Sequence, residues 1–305
     1  QGTQTLSDTY FGVWVDADLG NATDDYVGCD VQRGLGYAYN GDAFDEPSSD
    51  SPGYGENPPA VGIDFFEGPY QDSDEIDNPL TEVFTDAIDS LGIPYEGIGI
   101  GYGDGVVDNE RFGMRRFVYY NNSGNNINGE PTTPLHYYNY MNGIWKNGQK
   151  MAYGGDGVSA ATGANLDIPC DYMFPGETDP YNWGTVGVST DPWTEVSSGN
   201  PPADRRFIQS AGPFVLEPGD FNNITMGVVW ARASAGDPFE SVKLLRQADD
   251  KAQSLFDNCF EIVSGPDAPD VAVQELENEL ILYLTNENPI SNNFHEDYVA
   301  IDPSI

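Results

Sequence analysis

The sequence predicts a mainly β protein with a few helices. A β-sandwich or jelly-roll-like main domain is expected over residues 1–264, followed by a linker and the start of a second β-sandwich over residues 265–305. Three observations lead there. Short apolar runs with period-two alternation recur along the chain, separated by turn signals. The 35 Gly and 22 Pro among 305 residues interrupt the chain too often for long helices to dominate. Finally, 18 Tyr, 15 Phe and 5 Trp supply a large core, so the acidity of the chain is not that of a disordered segment.

In chain order, residues 6–15 read as a strand with Phe11, Val13 and Val15 on one face, and the polypeptide is expected to extend further toward its N-terminus. An acidic loop follows to Asp30. Residues 34–39 form a second strand closed by an Asn40-Gly41 turn, and Pro and Gly make residues 42–60 a long polar loop. A strand resumes over 61–66. After an acidic run at 72–78, a short helix is expected over 80–91, where Val83, Phe84, Ala87, Ile88 and Leu91 lie near helical spacing. Between Gly97 and Gly105 glycine takes every second position, which in a strand leaves one bare face for close packing. The dinucleotide fingerprint fails there, because Tyr102 and Asp104 stand where its third glycine belongs.

Residues 111–120 read as a strand. Thr133-Pro134 opens a helix near 134–146 with Leu135, Tyr138, Met141, Ile144 and Trp145 on its apolar side. Residues 149–205 read as irregular loops over short strands. Strands at 207–216 and 224–231 flank the turn Glu217-Pro-Gly-Asp220. A helix follows near 238–257, capped by Asp237, started by Pro238 and buried through Val242, Leu245, Ala248, Ala252 and Leu255, with Glu240 at the capping-box position. Residues 265–269 read as a linker, 271–276 and 280–285 as a hairpin, and 298–301 as a third strand.

With 50 acidic and 12 basic residues the net charge is −38, which repels nucleic acid and anionic membranes. Self-repulsion of this size destabilises a compact state unless cations offset it. No apolar run is long enough to span a membrane, and no basic-then-apolar signal peptide opens the given sequence, so for an exported protein the targeting segment is expected to have been removed or to lie outside it. Cys29, Cys170 and Cys259 lie far apart with no Cys-x-x-Cys pair, so a zinc site or disulfide framework is not expected and at most one disulfide can form.

The acidic loop carries the main candidate site. Asp16, Asp18, Asn21, Asp24, Asp25 and Asp30 offer the hard oxygen ligands that Ca2+ takes, at close spacing after a strand. It is no EF-hand: counted from Asp16, Gly20 falls at a ligand position and Val27 where the bidentate Glu belongs. A second calcium candidate is Asp104, Asp108 and Glu110, which also fails the EF-hand register and lacks the tandem copies of a β-roll. For both, an acidic solvated turn is the alternative. Trp183, Trp193 and Tyr181 lie in an aromatic-rich segment that can stack sugars, or pack beneath long loops. No catalytic residue stands out. His136 and His295 are the only imidazoles, and no nucleophile elbow, Walker loop or zincin helix occurs.

Several motifs together resemble a family of large secreted cell-surface proteins of Bacteroidota. They are Asp8-Thr-Tyr-Phe-Gly-Val-Trp-Val-Asp16-Ala-Asp18, Asp24-Asp25-Tyr-Val-Gly-Cys29-Asp30, Asn57-Pro-Pro-Ala-Val-Gly-Ile-Asp-Phe-Phe66 and Gly103-Asp-Gly-Val-Val-Asp-Asn-Glu-Arg111. The likeness continues through Tyr153-Gly-Gly155, Asp204-Arg-Arg206, Gln209-Ser-Ala-Gly-Pro-Phe214 and Leu255-Phe-Asp-Asn-Cys-Phe260 to Gly265-Pro-Asp-Ala-Pro-Asp270. It covers most of the chain. The resemblance implies export by the type IX system, a cell-surface location, and a second domain that is fibronectin type III-like. Asp89-Ser90-Leu91 fits the short O-glycosylation pattern of that phylum, with Ser90 as acceptor. No activity is implied. The resulting expectation is an extracellular, calcium-stabilised structural or adhesive module that partners other surface proteins or copies of itself, up to a surface polymer or filament. The alternative is a glycan-binding module or secreted glycoside hydrolase.

Overall fold

The computed structural model of the protein describes residues 3–95, 99–260, 269–275, 277, 280–285, 287 and 289. In chain order the first elements are β1 (Leu6–Asp16), β2 (Asp25–Asp30), β3 (Leu35–Asn40), β4 (Phe44–Asp45), β5 (Gly55–Glu56), β6 (Ala60–Glu67) and β7 (Arg116–Asn121). Then come α1 (Pro134–Met141), β8 (Ala152–Tyr153), β9 (Asn165–Pro169), α2 (Glu195–Ser198), β10 (Arg205–Leu216), β11 (Thr225–Ala231), α3 (Pro238–Asp257), β12 (Asp270–Glu275) and β13 (Leu280–Thr285). The chain divides into two compact units, Gln1–Asp249 and Asp250–Ile305, with the division inside α3.

The first unit is a sandwich of two antiparallel sheets, β1-β10-β7 and β11-β6-β3-β2. Alternation in β1 turns Phe11, Val13 and Val15 inward onto the core while Trp14 faces out. Gly36 of β3 lets the sheets close: a Cβ there would collide with Gln209, Phe117 and Phe207 of the facing sheet. The Gln209 amide then donates across the gap to the Ile63 carbonyl at 3.1 Å. Helix α1 covers the outer face of the three-stranded sheet, where Met141 fills the space above Gly12. The part of α3 within the first unit, Pro238–Asp249, covers the four-stranded sheet, with Leu245 against Gly62 and both Val242 and Leu245 fully buried. Each such aliphatic side chain contributes about 1.5–3 kcal/mol. The second unit is described as the end of α3 and the antiparallel hairpin β12–β13, in register from Asp270↔Thr285 to Glu275↔Leu280.

The mainly β sandwich is therefore as expected, but several elements differ. Residues 25–30, read as loop, are the fully buried strand β2; its polar ends and Gly28 disguise it. The helix over 80–91 is replaced by one 3-10 turn at Phe84–Asp86. Val83, Ile88 and Leu91 are exposed, so their spacing has no core to face, and the Asp89 carboxylate instead accepts from the Leu91 and Ile93 amides as a turn. The alternating glycines do not form a strand within 99–105, because Gly99, Gly101, Gly103 and Gly105 all have positive φ. Close packing survives: a Cβ on Gly101 would strike Asn109 and Glu110.

Strand β7 begins at Arg116, not 111. Helix α1 starts as expected, the Thr133 hydroxyl accepting from the His136 amide, but ends at Met141, because Gly143 turns the chain with φ +66 and sends Trp145 into the core. The linker at 265–268, the third strand at 298–301 and His295 lie outside the described residues. Cys29, Cys170 and Cys259 are all free.

Candidate metal centre

The acidic loop after β1 folds against the end of the sandwich where β2 and β3 meet. Two groups of oxygens gather there. In the first, carboxylate oxygens of Asp16, Asp18 and Asp204 lie within 4.8 Å of one another. Arg206 already serves this group, 2.8 Å from Asp16 and also 2.8 Å from Glu130, and the Asn122 amide donates to Asp204. Burial, then Asp16 and Asp204, push the Asp18 carboxyl above its ordinary value.

The second group lies beside it, and no Lys or Arg is among the charges that act on it. Asp25 and Asn40 are cross-strand partners at the ends of β2 and β3, 2% and 0% exposed. One Asp25 oxygen accepts from the Leu19 amide at 3.1 Å; the other is buried without a hydrogen-bond partner. The Asn40 Nδ2 donates to the Asp42 carbonyl at 3.0 Å, which leaves its buried Oδ1 without a donor. Neither oxygen of Asp24 has a partner beyond its own backbone amide. Asp45 completes the surroundings, held by the Asn21 amide at 2.9 Å and the Tyr54 amide at 2.6 Å and packed so close to Gly20 that no Cβ fits there. Asn21 itself acts locally, its side chain accepting from Thr23 at the start of a 3-10 turn.

Electrostatics follow from that geometry. Burial first, then Asp45, push the Asp24 carboxyl up to about 6. Burial pushes Asp25 up to about 8; the Leu19 amide offsets part of this, while Asp24, Asp45 and Asp18 add to it. A buried oxygen without a donor costs on the order of 1–3 kcal/mol, more when charged. Acceptors gathered without donors are satisfied by protons or by a hard cation, and Asp24, Asp25 and Asn40 supply the donor chemistry that calcium takes.

The remaining candidates are placed elsewhere. Asp30 closes the other end of β2, 3.1 Å from Arg33 and 2.9 Å from Arg246. Asp104, Asp108 and Glu110 fasten a loop: Asp108 accepts from the Asp74 and Glu75 amides, Asp104 from the Val106 amide and Asn109, and Glu110 from the Asn78 amide. Trp183 and Trp193 are 2% and 4% exposed and pack in the core, while Tyr181 donates to Glu82 at 2.8 Å. A cavity of about 270 Å³ lies beside Trp193, lined also by Tyr153, Asp179, Asn182 and Asp191 among others. Ser90 is exposed on its turn. His136 accepts through Nδ1 from the Thr132 amide, 3.2 Å away. No helix among the described residues is long and apolar enough to cross a membrane.

Sequence reasoning singled out neither Asp204, Asn40 nor Asp45 as site residues. Asn40 carried only a turn signal, Asp45 sat in a polar loop, and Asp204 lies 186 positions beyond Asp18 along the chain. Comparison with protein-family models, curated proteins and solved structures finds no match.

Proposed function

We propose that this chain is an extracellular structural or adhesive module of a cell surface, stabilised by calcium and assembled with other surface subunits or copies of itself. The observation that carries the calcium part is the set of buried oxygens on Asp24, Asp25 and Asn40 without a donor from another residue. This group is favoured over Asp16, Asp18 and Asp204 because Arg206 reaches Asp16 and Asp204, whereas no Lys or Arg among the described residues pairs with Asp24 or Asp25. The motifs shared with secreted Bacteroidota surface proteins support the location and export by the type IX system. A net charge of −38 on a compact fold adds to the case for bound cations.

Calcium bound only by the folded chain stabilises it by mass action, about 4 kcal/mol when free calcium is a thousand times the dissociation constant. At about 2–4 °C per kcal/mol for a unit of this size, a chelator lowers the melting temperature by roughly 8–16 °C and added calcium restores it. A melt that does not move through that titration rules the calcium reading out. The alternative, a glycan-binding module or hydrolase, draws support from the cavity beside Trp193. Glycan-array binding together with sugar release would favour it.

A further inference from the structure

The two sides of the sandwich are finished differently. On one side both edges are covered. The Phe117 amide of β7 donates to the Asp171 carbonyl at 2.9 Å, and the Met173 amide returns to the Phe117 carbonyl at 3.0 Å. Along β2 and at the residue after it, the amides of Val27, Cys29 and Val31 donate outward to Glu195, Phe174 and Thr178. On the opposite side, among the described residues, β1 pairs with β10 alone and β11 with β6 alone. An uncovered strand edge is a template for another strand.

That open side is also stepped. Phe11 of β1 meets Phe65 of β6 with ring centroids 5.9 Å apart, so β1 lies over β6 and β11 projects beyond it. Register sets Val228 opposite Ile63 and Trp230 opposite Val61, on the face turned toward the other sheet. Both are nevertheless exposed, by 72% and 52%, whereas Val229 on the face covered by α3 is only 7% exposed. The three-stranded sheet stops one strand short of covering its partner.

We propose that this step receives an extended strand of another protein, apolar at alternate positions and basic between them, which adds to the three-stranded sheet along β1. Backbone pairing with β1 would satisfy the open edge, and the period of two would place every second side chain over Val228 and Trp230. Charge selects the occupant. Asp8 lies on β1, and Asp16 and Asp18 stand at its far end, where Arg206 offsets only one of their charges. A second copy would bring another −38 to this acidic rim, whereas lysines between the apolar positions are attracted to it. The inference gives the adhesive reading a partner. It rests on that reading only for its biological sense, since the step owes nothing to calcium.

The test titrates the peptide acetyl-Lys-Val-Lys-Ile-Lys-Val-Lys-Ile-Lys-amide into the intact chain at 0.15 M salt with calcium present, read by calorimetry and by exchange protection of β1 amides. Controls are a peptide of the same composition with its apolar residues clustered, and one with Glu in place of Lys. The alternating basic peptide is expected to bind and to protect β1. Both controls, and the variants Trp230→Ser and Val228→Ser, are expected to weaken binding about tenfold. These variants alter exposed side chains, and an unchanged melting curve shows that the fold is retained. Equal binding of the clustered peptide, or indifference to both variants, would reduce the effect to charge attraction and overturn the proposal. So would a Trp230-dependent dimer in sedimentation, which makes a second copy the occupant. The chelation melt decides the calcium reading separately, so either can fail without the other.

Discussion

Strand β2 carries a buried aspartate at each end, and the two are neutralised by different means. Asp30, fully buried, sits between Arg33 and Arg246. Asp25, 2% exposed, has one amide and a ring of further carboxylates. The same division runs through the molecule. Arg205 pairs with the buried Glu195, Arg111 with Glu67, and Arg116 and Lys150 with Asp171, whereas no Lys or Arg is among the charges that act on Asp24 and Asp25. Asp30 is neutralised by the chain's own cations, and Asp25 is left for protons or for an ion from solution.

Breaking the Asp30 end should have the largest effect. Asp30→Asn leaves two guanidinium groups without their shared carboxylate, at a cost of about 3–5 kcal/mol. Chemical denaturation should show that loss equally with calcium and with chelator, because the ion pair is internal. A loss that disappears on adding calcium would place Asp30 in the cation site instead.

Asp25→Asn should behave in the opposite way. In chelator it relieves repulsion at a buried carboxylate and leaves stability unchanged or raises it by about 1 kcal/mol. In calcium it removes a ligand and most of the calcium-dependent rise in melting temperature. The two melting series therefore cross, and parallel series would remove the distinction between the ends of β2.

A pH series sharpens the same contrast. Asp24 and Asp25 are raised from 3.8 to about 6 and about 8, and burial followed by repulsion from Asp249 also raises Asp64, offset in part by the Phe65 amide. A raised value means that the folded chain binds protons the unfolded chain has released. Their contribution is thus complete below about pH 4 and lost as pH rises toward 8. In chelator the melting temperature should fall from pH 5 to pH 8.5; calcium should flatten that slope by replacing the protons on Asp24 and Asp25. A level profile in chelator would show these carboxyls ionised throughout.

The smallest change is expected in the loop of residues 72–110. Asp77 accepts from the Gly103 and Gly105 amides at 2.9 and 2.8 Å. Asp77→Ala should lower the melting temperature by about 2–4 °C, the loss of a modest hydrogen-bonded staple, with the calcium response intact. Were that response to shrink, this acidic run would join the site.

Much of the fold was legible in the residues, and the reason is local. Period-two alternation marked β1, β6, β10 and β11, and Thr133-Pro134 and Asp237-Pro238 marked two helix starts. Strand β2 was hidden because burial on both faces leaves no alternation and its ends are acidic. The apolar spacing over 80–91 misled because helical periodicity has force only where a core receives the stripe.

By itself, then, the sequence determined a mainly β chain, an acidic loop at the end of a strand, and a charge that calls for cations. Those properties belong to neighbouring residues and to composition. Only the tertiary structure decided which carboxylates lack a counter-charge. It separated Asp25 from Asp30 by the length of one strand, brought Asn40, Asp45 and Asp204 to the loop, and turned Asp104, Asp108 and Glu110 to backbone amides. Whether a carboxylate is a ligand or a staple depends on the donors within hydrogen-bond reach, and those donors come from residues far away in the chain.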